Sequence, residues 1–193
     1  MEILGKLLGN EGRVKIMRLF LLNRSNGFTT KEIIKRSRVS ALVARRELRL
    51  LASVNFVKKR TDDWIFNPTF KYGEEFKNLL LSSDSLNNQN ILNYFKKAGK
   101  VKLLLTSGIF IKNPDSRVDM LLVGDSMKRS KIEEGVKRIE AEMGAELTYA
   151  VFDTKEFLYR LNMYDKLIRD ILDYPHEVVL QSKELSTQTL KKV

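Results

Sequence analysis

Between Thr29 and Asn67 the hydrophobic pattern changes period, and that change limits what the chain can build. Ala44, Leu48 and Leu51 fall at i, i+4 and i+7, which is one stripe of a helix. Ile33 and Ile34 point inward from a preceding helix, and Ser37 to Val39 make a short turn between the two. Phe56–Arg60 and Trp64–Asn67 then read as strands joined at Thr61-Asp62-Asp63, with both aspartates at the tip and Trp64 in the core. Thr29 or Thr30 can cap the first helix, with Glu32 near a capping-box position, and Ser40 can cap the second. Val14, Ile16, Met17, Phe20 and Leu21 predict an earlier helix over Arg13–Leu22, and Asn26-Gly27 a turn. Tyr72 to Leu81 predicts a closing helix that buries Phe76, Leu79 and Leu80.

Charge adds a partner to this outline. The chain has 35 Lys+Arg against 24 Asp+Glu, and residues 1–83 hold 17 of the first and 8 of the second. The excess is therefore concentrated in the half that carries the helix–turn–helix–hairpin pattern. A local cationic field of this kind attracts a polyanion, and double-stranded DNA is the leading candidate. In the second helix the core stripe leaves Ala41, Leu42, Arg45, Arg46 and Arg49 on the other faces. Arg45 and Arg49 are one turn apart, and a guanidinium can read guanine or clamp a phosphate. Thr30, Lys31 and Ser40 join them as candidate DNA contacts, as do Lys58, Lys59 and Arg60 on the hairpin. The acidic tip predicts that the hairpin touches the backbone at most.

Other classes are constrained by absence. There are no cysteines, which removes disulfides and thiolate metal sites. No apolar run approaches a membrane span, and residues 1–10 lack the features of a signal peptide, so a cytoplasmic protein without membrane contact is expected.

The first half resembles winged helix-turn-helix regulators of the arsenic-repressor type. The matching residues are Phe28-Thr29-Thr30-Lys31-Glu32-Ile33, Val39-Ser40, Arg46-Glu47-Leu48-Arg49-Leu50-Leu51 and Val54-Asn55-Phe56-Val57. Asn55 stands at or beside the place of the usual glycine, which Asn tolerates because it accepts left-handed backbone angles. The resemblance implies a homodimer reading inverted repeats. The metal-binding cysteine pairs of that family are absent, so metal sensing is not implied.

Residues 82–90 are the clear polar interruption. They divide the chain into a domain over 1–83, a linker over 84–90, a second domain over 91–181 and a loose polar tail over 182–193. The second half predicts a helix over Asn88–Ala98 and strands over Val101–Leu105, Val118–Val123, Leu147–Phe152 and Val178–Leu180. A helix over Met127–Met143 buries Ile132, Val136, Ile139 and Met143 and ends at Gly144. Asp153 or Thr154 caps a helix ending near Tyr164, and a further helix covers Asp165–Leu172. Phe157, Tyr159, Leu161 and Tyr164 are expected to pack. The fold class is α+β: the helix–turn–helix–hairpin half, then a small mixed sheet with helices.

The second half is similar to the minimal nucleotidyltransferase fold over Leu103 to about Leu180. In that family a strand leads to Gly-Ser, which holds a triphosphate, and then to an Asp-x-Asp strand whose carboxylates bind two Mg²⁺ ions. Here Ser107-Gly108 stands at the Gly-Ser place, and Ser116-Arg117-Val118-Asp119-Met120 at the Asp-x-Asp place. Arg117 replaces the first carboxylate, and a guanidinium repels Mg²⁺ rather than binding it. The third carboxylate is missing from Leu147–Val151, with Glu146 before that strand and Asp153 after it. Ser107, Gly108, Arg117 and Asp119 are therefore read as a vestigial nucleotide site without catalytic or metal-binding residues. Arg117 is expected to pair with Asp119 or Asp115, or to hold a nucleotide phosphate. The lone His176 is read as a surface turn residue.

These readings converge on a DNA-binding transcriptional regulator. Its second half would serve dimerisation or sensing of a nucleotide or small-molecule effector, with no cofactor. Two alternatives stay open: an active nucleotidyltransferase targeted by a winged helix, and a protein-interaction module of the toxin–antitoxin kind.

Overall fold

In the computed structural model, residues 3–82, 88–113 and 115–185 are described. The chain divides into two units, Met1–Leu86 with Lys137–Glu146, and Asn87–Val136 with Leu147–Val193. Each builds around its own small sheet, and the fold is α+β.

The first unit begins with α1 (Ile3–Leu7) and α2 (Glu11–Leu22). Asn10 starts α2 by accepting from the Gly12 and Arg13 amides at 2.7 and 3.3 Å, which satisfies two of the donors a helix start leaves free. Next comes β1 (Gly27–Thr29), a strand too short for its alternation to be legible. Then α3 (Thr30–Ser37) opens on a complete capping box: Thr29 Oγ1 accepts from the Glu32 amide, and Glu32 accepts from the Thr29 amide. Those Thr29 bonds hold the exposed Glu32 carboxyl below its ordinary value. Arg38, at φ 51°, ends the helix.

Ser40 accepts from the Val43 amide at 3.3 Å and starts α4 (Ala41–Ser53). Asn55 turns the chain out of α4 at φ 59°, the left-handed angle expected of it. Two strands follow, β2 (Val57–Arg60) and β3 (Asp63–Phe66), and the three-stranded antiparallel sheet has the order β1-β3-β2. Asp63 belongs to β3 rather than to the tip, because it pairs with both Thr29 and Arg60. α5 (Gly73–Ser82) closes this part.

Val14, Ile16, Phe20, Ile33, Ala44 and Leu48 are buried as predicted, Ile34 is only half-buried, and Phe56 joins the buried core. Removing each large apolar side chain from water contributes about 1.5–3 kcal/mol. Phe56 meets Phe66 and Phe70 edge-on with centroids at 5.4 and 5.2 Å. Leu79 departs from expectation: it is exposed, and Leu80 and half-buried Phe76 carry the inward face of α5.

The second unit opens with α6 (Asn88–Phe95), so residues 88–90 of the expected linker are helical, while 84–87 lie outside the described residues. Its sheet contains β4 (Lys100–Thr106), β5 (Met120–Asp125), β6 (Tyr149–Phe152) and β7 (Glu177–Gln181), in the order β6-β5-β4-β7. β5 and β6 are parallel, and β4 is antiparallel to β5 and β7. The parallel pair requires a crossover, and the chain between them runs through α7 (Arg129–Met143), whose residues from Lys137 onward belong to the first unit. Met120 to Val123 are fully buried, which explains why β5 reads as a continuous apolar run rather than an alternating one.

α8 (Thr154–Asn162) and α9 (Lys166–Asp173) start on Asp153 and Asp165, whose carboxylates accept the first free amides. Phe157 and Leu161 pack as predicted, whereas Tyr159 and Tyr164 are exposed. Met143 is half-buried and Ala141 buried. The expected loose tail starts too early. Gln181 ends β7, residues 183–185 form a 3₁₀ turn, and Leu185 is fully buried with Leu103 and Ile168. Residues 186–193 lie outside the described residues.

Candidate functional site

α4 sorts its residues by face. Ala44, Leu48 and Leu51 are buried, and Ala41, Leu42, Arg45, Arg46 and Arg49 are exposed. Among the described residues no hydrogen bond or ion pair holds the guanidinium of Arg45 or Arg49. They lie one turn apart, off the core stripe of the helix.

Arg46 behaves differently. Its Nε and Nη2 donate to Glu47 Oε1 at 3.0 and 2.8 Å. The other carboxylate oxygen of Glu47 accepts from Arg13 Nε on α2 at 2.7 Å. Glu47 is fully buried. Burial alone would raise its pKa, but the bonds from Arg13 and Arg46 together outweigh that and hold it below the ordinary value. The expected ridge of three free arginines is thus two free arginines and one drawn to a buried anion. Glu47 was visible in the sequence as an acidic residue on the core stripe, three residues after Ala44. Its partner was not, because Arg13 lies in another helix.

A second buried charge went unread. Arg18 is 1% exposed, four residues after Val14 on the inward face of α2. Its Nε donates to Leu80 O at 2.9 Å and its Nη1 to Glu142 O at 3.1 Å. Both carbonyls sit in the last turn of a helix, where partners are missing and a cation is favoured.

The remaining basic candidates are distributed around α4. Lys31 is exposed at the start of α3. Thr30 is half-buried and its Oγ1 accepts from Trp64 Nε1 at 3.2 Å, which fixes the half-buried indole to α3. The Ser40 hydroxyl is the α4 cap. On the hairpin Lys58, Lys59 and Arg60 are exposed. Val57 is buried, so the two-residue period sends Lys58 and Arg60 to the outer face, while Lys59 lies opposite Trp64. Arg60 faces Asp63 across the strands, and Thr61 turns the tip at φ 56°.

In the second unit, Ser107, Gly108 and Asp119 meet where β4 ends and β5 begins. The Ser107 amide donates to Asp119 O at 2.8 Å, and its hydroxyl donates to Val118 O. Asp119 Oδ1 accepts from the Ile109 amide at 2.9 Å, and Oδ2 from the Thr148 amide at 2.8 Å. Gly108 has φ 55°, and a Cβ there would stand 2.1 Å from Asp119 Oδ1. The carboxylate is therefore a clasp that ties the loop after β4 to the approach to β6.

Arg117 pairs with neither Asp119 nor Asp115. Its Nε donates to Asp170 Oδ2 on α9 at 2.9 Å. The flanking carboxylates are engaged as well: Glu146, in the first unit, pairs with Arg36 at 2.7 Å, and Asp153 caps α8. Among the described residues no cluster of three metal-ligating side chains occurs. These residues do not fit a two-Mg²⁺ centre, which needs several oxygens converging on each ion.

His176 is half-buried beside the start of β7, its Nδ1 2.9 Å from Tyr174 O. A lysine in the apolar run of β4 also escaped the sequence reading. Lys102 is 8% exposed and its Nζ meets Asp125 Oδ2 at 2.7 Å and Glu184 Oε2. The bonds to Asp125 and Glu184 raise the pKa of Lys102, and its ammonium lowers both of theirs. Among the described residues no helix is long and apolar enough to cross a membrane. Comparison of the chain with protein-family models, curated proteins and solved structures returned no match.

Proposed function

We propose that this chain is a DNA-binding transcriptional regulator of winged helix-turn-helix type, with α4 as the recognition helix and the β2–β3 hairpin as the wing. One observation carries the reading. Arg45 and Arg49 are exposed one turn apart, without partners among the described residues, on α4 away from its core stripe. Unpaired guanidiniums on a capped helix that follows a tight turn suit groove entry and base or phosphate contact. Lys31 and the outward Lys58 and Arg60 supply flanking phosphate contacts. Asp62 at the tip keeps the wing on the backbone.

The second unit acts as a nucleotidyltransferase-like scaffold without transferase activity, serving a homodimer or an effector such as a nucleotide. Support for this comes from the clasped Asp119 carboxylate and from Arg117 at the place of a metal ligand.

Selection from randomised duplexes, followed by titration across salt concentrations, tests the reading. A selected duplex binds more weakly as salt rises, because bound Lys and Arg release counterions. Arg45→Ala or Arg49→Ala weakens that binding by about 1–3 kcal/mol if the residue reads a base. Unchanged binding in both variants refutes the assignment of α4. Labelled-nucleotide incorporation with Mg²⁺ or Mn²⁺ that vanishes in Asp119→Ala would overturn the scaffold reading.

A further inference from the structure

The arginine ridge on α4 carries one large apolar side chain at its N-terminal end. Leu42 is 79% exposed, the most exposed of the large hydrophobic side chains among the described residues. It lies three residues before Arg45 and seven before Arg49, so all three share one face. The opposite face holds Ala44, Leu48 and Leu51, and Leu42 therefore points directly away from the core. Ala41 beside it is also exposed and small.

A single exposed leucine is ordinary on a protein surface. This one is set apart by what surrounds it. It occupies the first turn of the helix, ahead of Arg45 and Arg49, which have no partner among the described residues, and the other residues of α4 on that face, Arg46 and Ser53, are polar. Polyanion binding would bring the first turn against base edges, because recognition helices enter the major groove with their N-terminal residues. There the apolar group on offer is the 5-methyl of thymine.

We infer that Leu42 is a specificity-determining residue that reads a thymine methyl group, next to base or phosphate contacts made by Arg45 and Arg49. This rests on the regulator reading and adds to it. The preferred site would hold a thymine at a fixed step from the position read by Arg45. Discrimination there would come from apolar contact rather than from hydrogen bonding.

Uracil tests this cleanly, because it keeps every hydrogen-bonding edge of thymine and lacks only the methyl. A duplex selected by the full-length protein is prepared with each thymine replaced singly by deoxyuridine, and binding is measured by fluorescence anisotropy at fixed salt. Replacement at one thymine position is expected to weaken binding by the wild-type chain about fivefold, the effect of losing one buried methyl contact. Leu42→Ala should bind the thymine duplex about fivefold more weakly and distinguish the two bases less than about twofold. Leu42→Met should retain the discrimination, since it preserves the apolar contact. The salt slope of Leu42→Ala should match wild type, because no charge changes. Discrimination that persists in Leu42→Ala, or wild-type binding insensitive to deoxyuridine at every thymine, overturns the inference and leaves the regulator reading standing. Failure to select any duplex overturns both.

Discussion

Glu47→Gln probes the interaction that both stabilises the first unit and restrains its cationic face. The carboxylate is fully buried, with Arg13 at 2.7 Å on one oxygen and Arg46 at 2.8 Å on the other. Glutamine keeps the shape and one acceptor oxygen but loses the charge. The Arg13 bond then drops from a charge-assisted value of about 2 kcal/mol to about 1 kcal/mol. Arg13 is 23% exposed. Its cation is only partly rehydrated once the anion is gone, which costs about 1 kcal/mol more. Arg46 is 63% exposed, so its pair adds a surface contribution. That contribution is about 0.5 kcal/mol. The expected loss is about 2.5 kcal/mol in total.

Trp64, the single tryptophan, lies in the first unit, so its fluorescence in urea reports that unit's unfolding. The midpoint should fall by about 1–2 M at unchanged slope. Acid reverses the effect. The folded pKa of Glu47 lies below its ordinary 4.5, so its stabilisation is complete above that value and is lost as pH falls through the folded one. The gap between wild type and Glu47→Gln should therefore close on acidification below pH 4.5. A midpoint within about 0.3 M of wild type at neutral pH would refute the buried-clamp argument.

Three further outcomes follow from the geometry. Gly144 sits at φ 81°, and a Cβ would stand 2.6 Å from the backbone of Arg18 and Leu19. Gly144→Ala should lower the stability of the first unit by about 2 kcal/mol in the same urea assay. Asp119→Asn should destabilise the second unit by about 1–2 kcal/mol and speed amide exchange at Ile109 and Thr148, because one of those N–H groups would then face an amide NH₂. Unchanged exchange at both amides would remove the clasp. The Lys102 ammonium, with its pKa raised above 10.5, contributes stability below that value which is lost as pH rises through the folded one. Thermal melts followed by circular dichroism should show this alkaline loss in wild type and not in Lys102→Met.

Much of the first unit was legible because its signals are local. The Thr29–Glu32 capping box, the Ser40 cap, the stripe of Ala44, Leu48 and Leu51 and the left-handed Asn55 each depend on residues a few positions apart. The Asp153 cap and Gly144 in the second half were legible for the same reason. Failures came where a partner is distant. β1 is three residues long and exists through its pairing with β3. Leu185 looked like part of a polar tail and is buried in a core cluster with residues of β4, β5, β6, α8 and α9.

The candidate sites divide along the same line. Which side chains leave the core of α4 followed from helical periodicity, so the exposure of Leu42, Arg45 and Arg49 could be read directly from their spacing. Where each charge goes once it leaves the backbone could not. Arg46 turns to Glu47 because Arg13 has drawn that carboxylate's other oxygen inward from a separate helix. Arg117 reaches Asp170 rather than its near neighbours, and Asp119 spends both oxygens on amides that the sheet brings to it. The sequence by itself determined the faces of the helices, since a side chain's direction follows from its place in a regular backbone. Only the tertiary structure decided the charge partners, since an ion pair depends on a few ångströms of separation that folding sets between residues far apart in the chain.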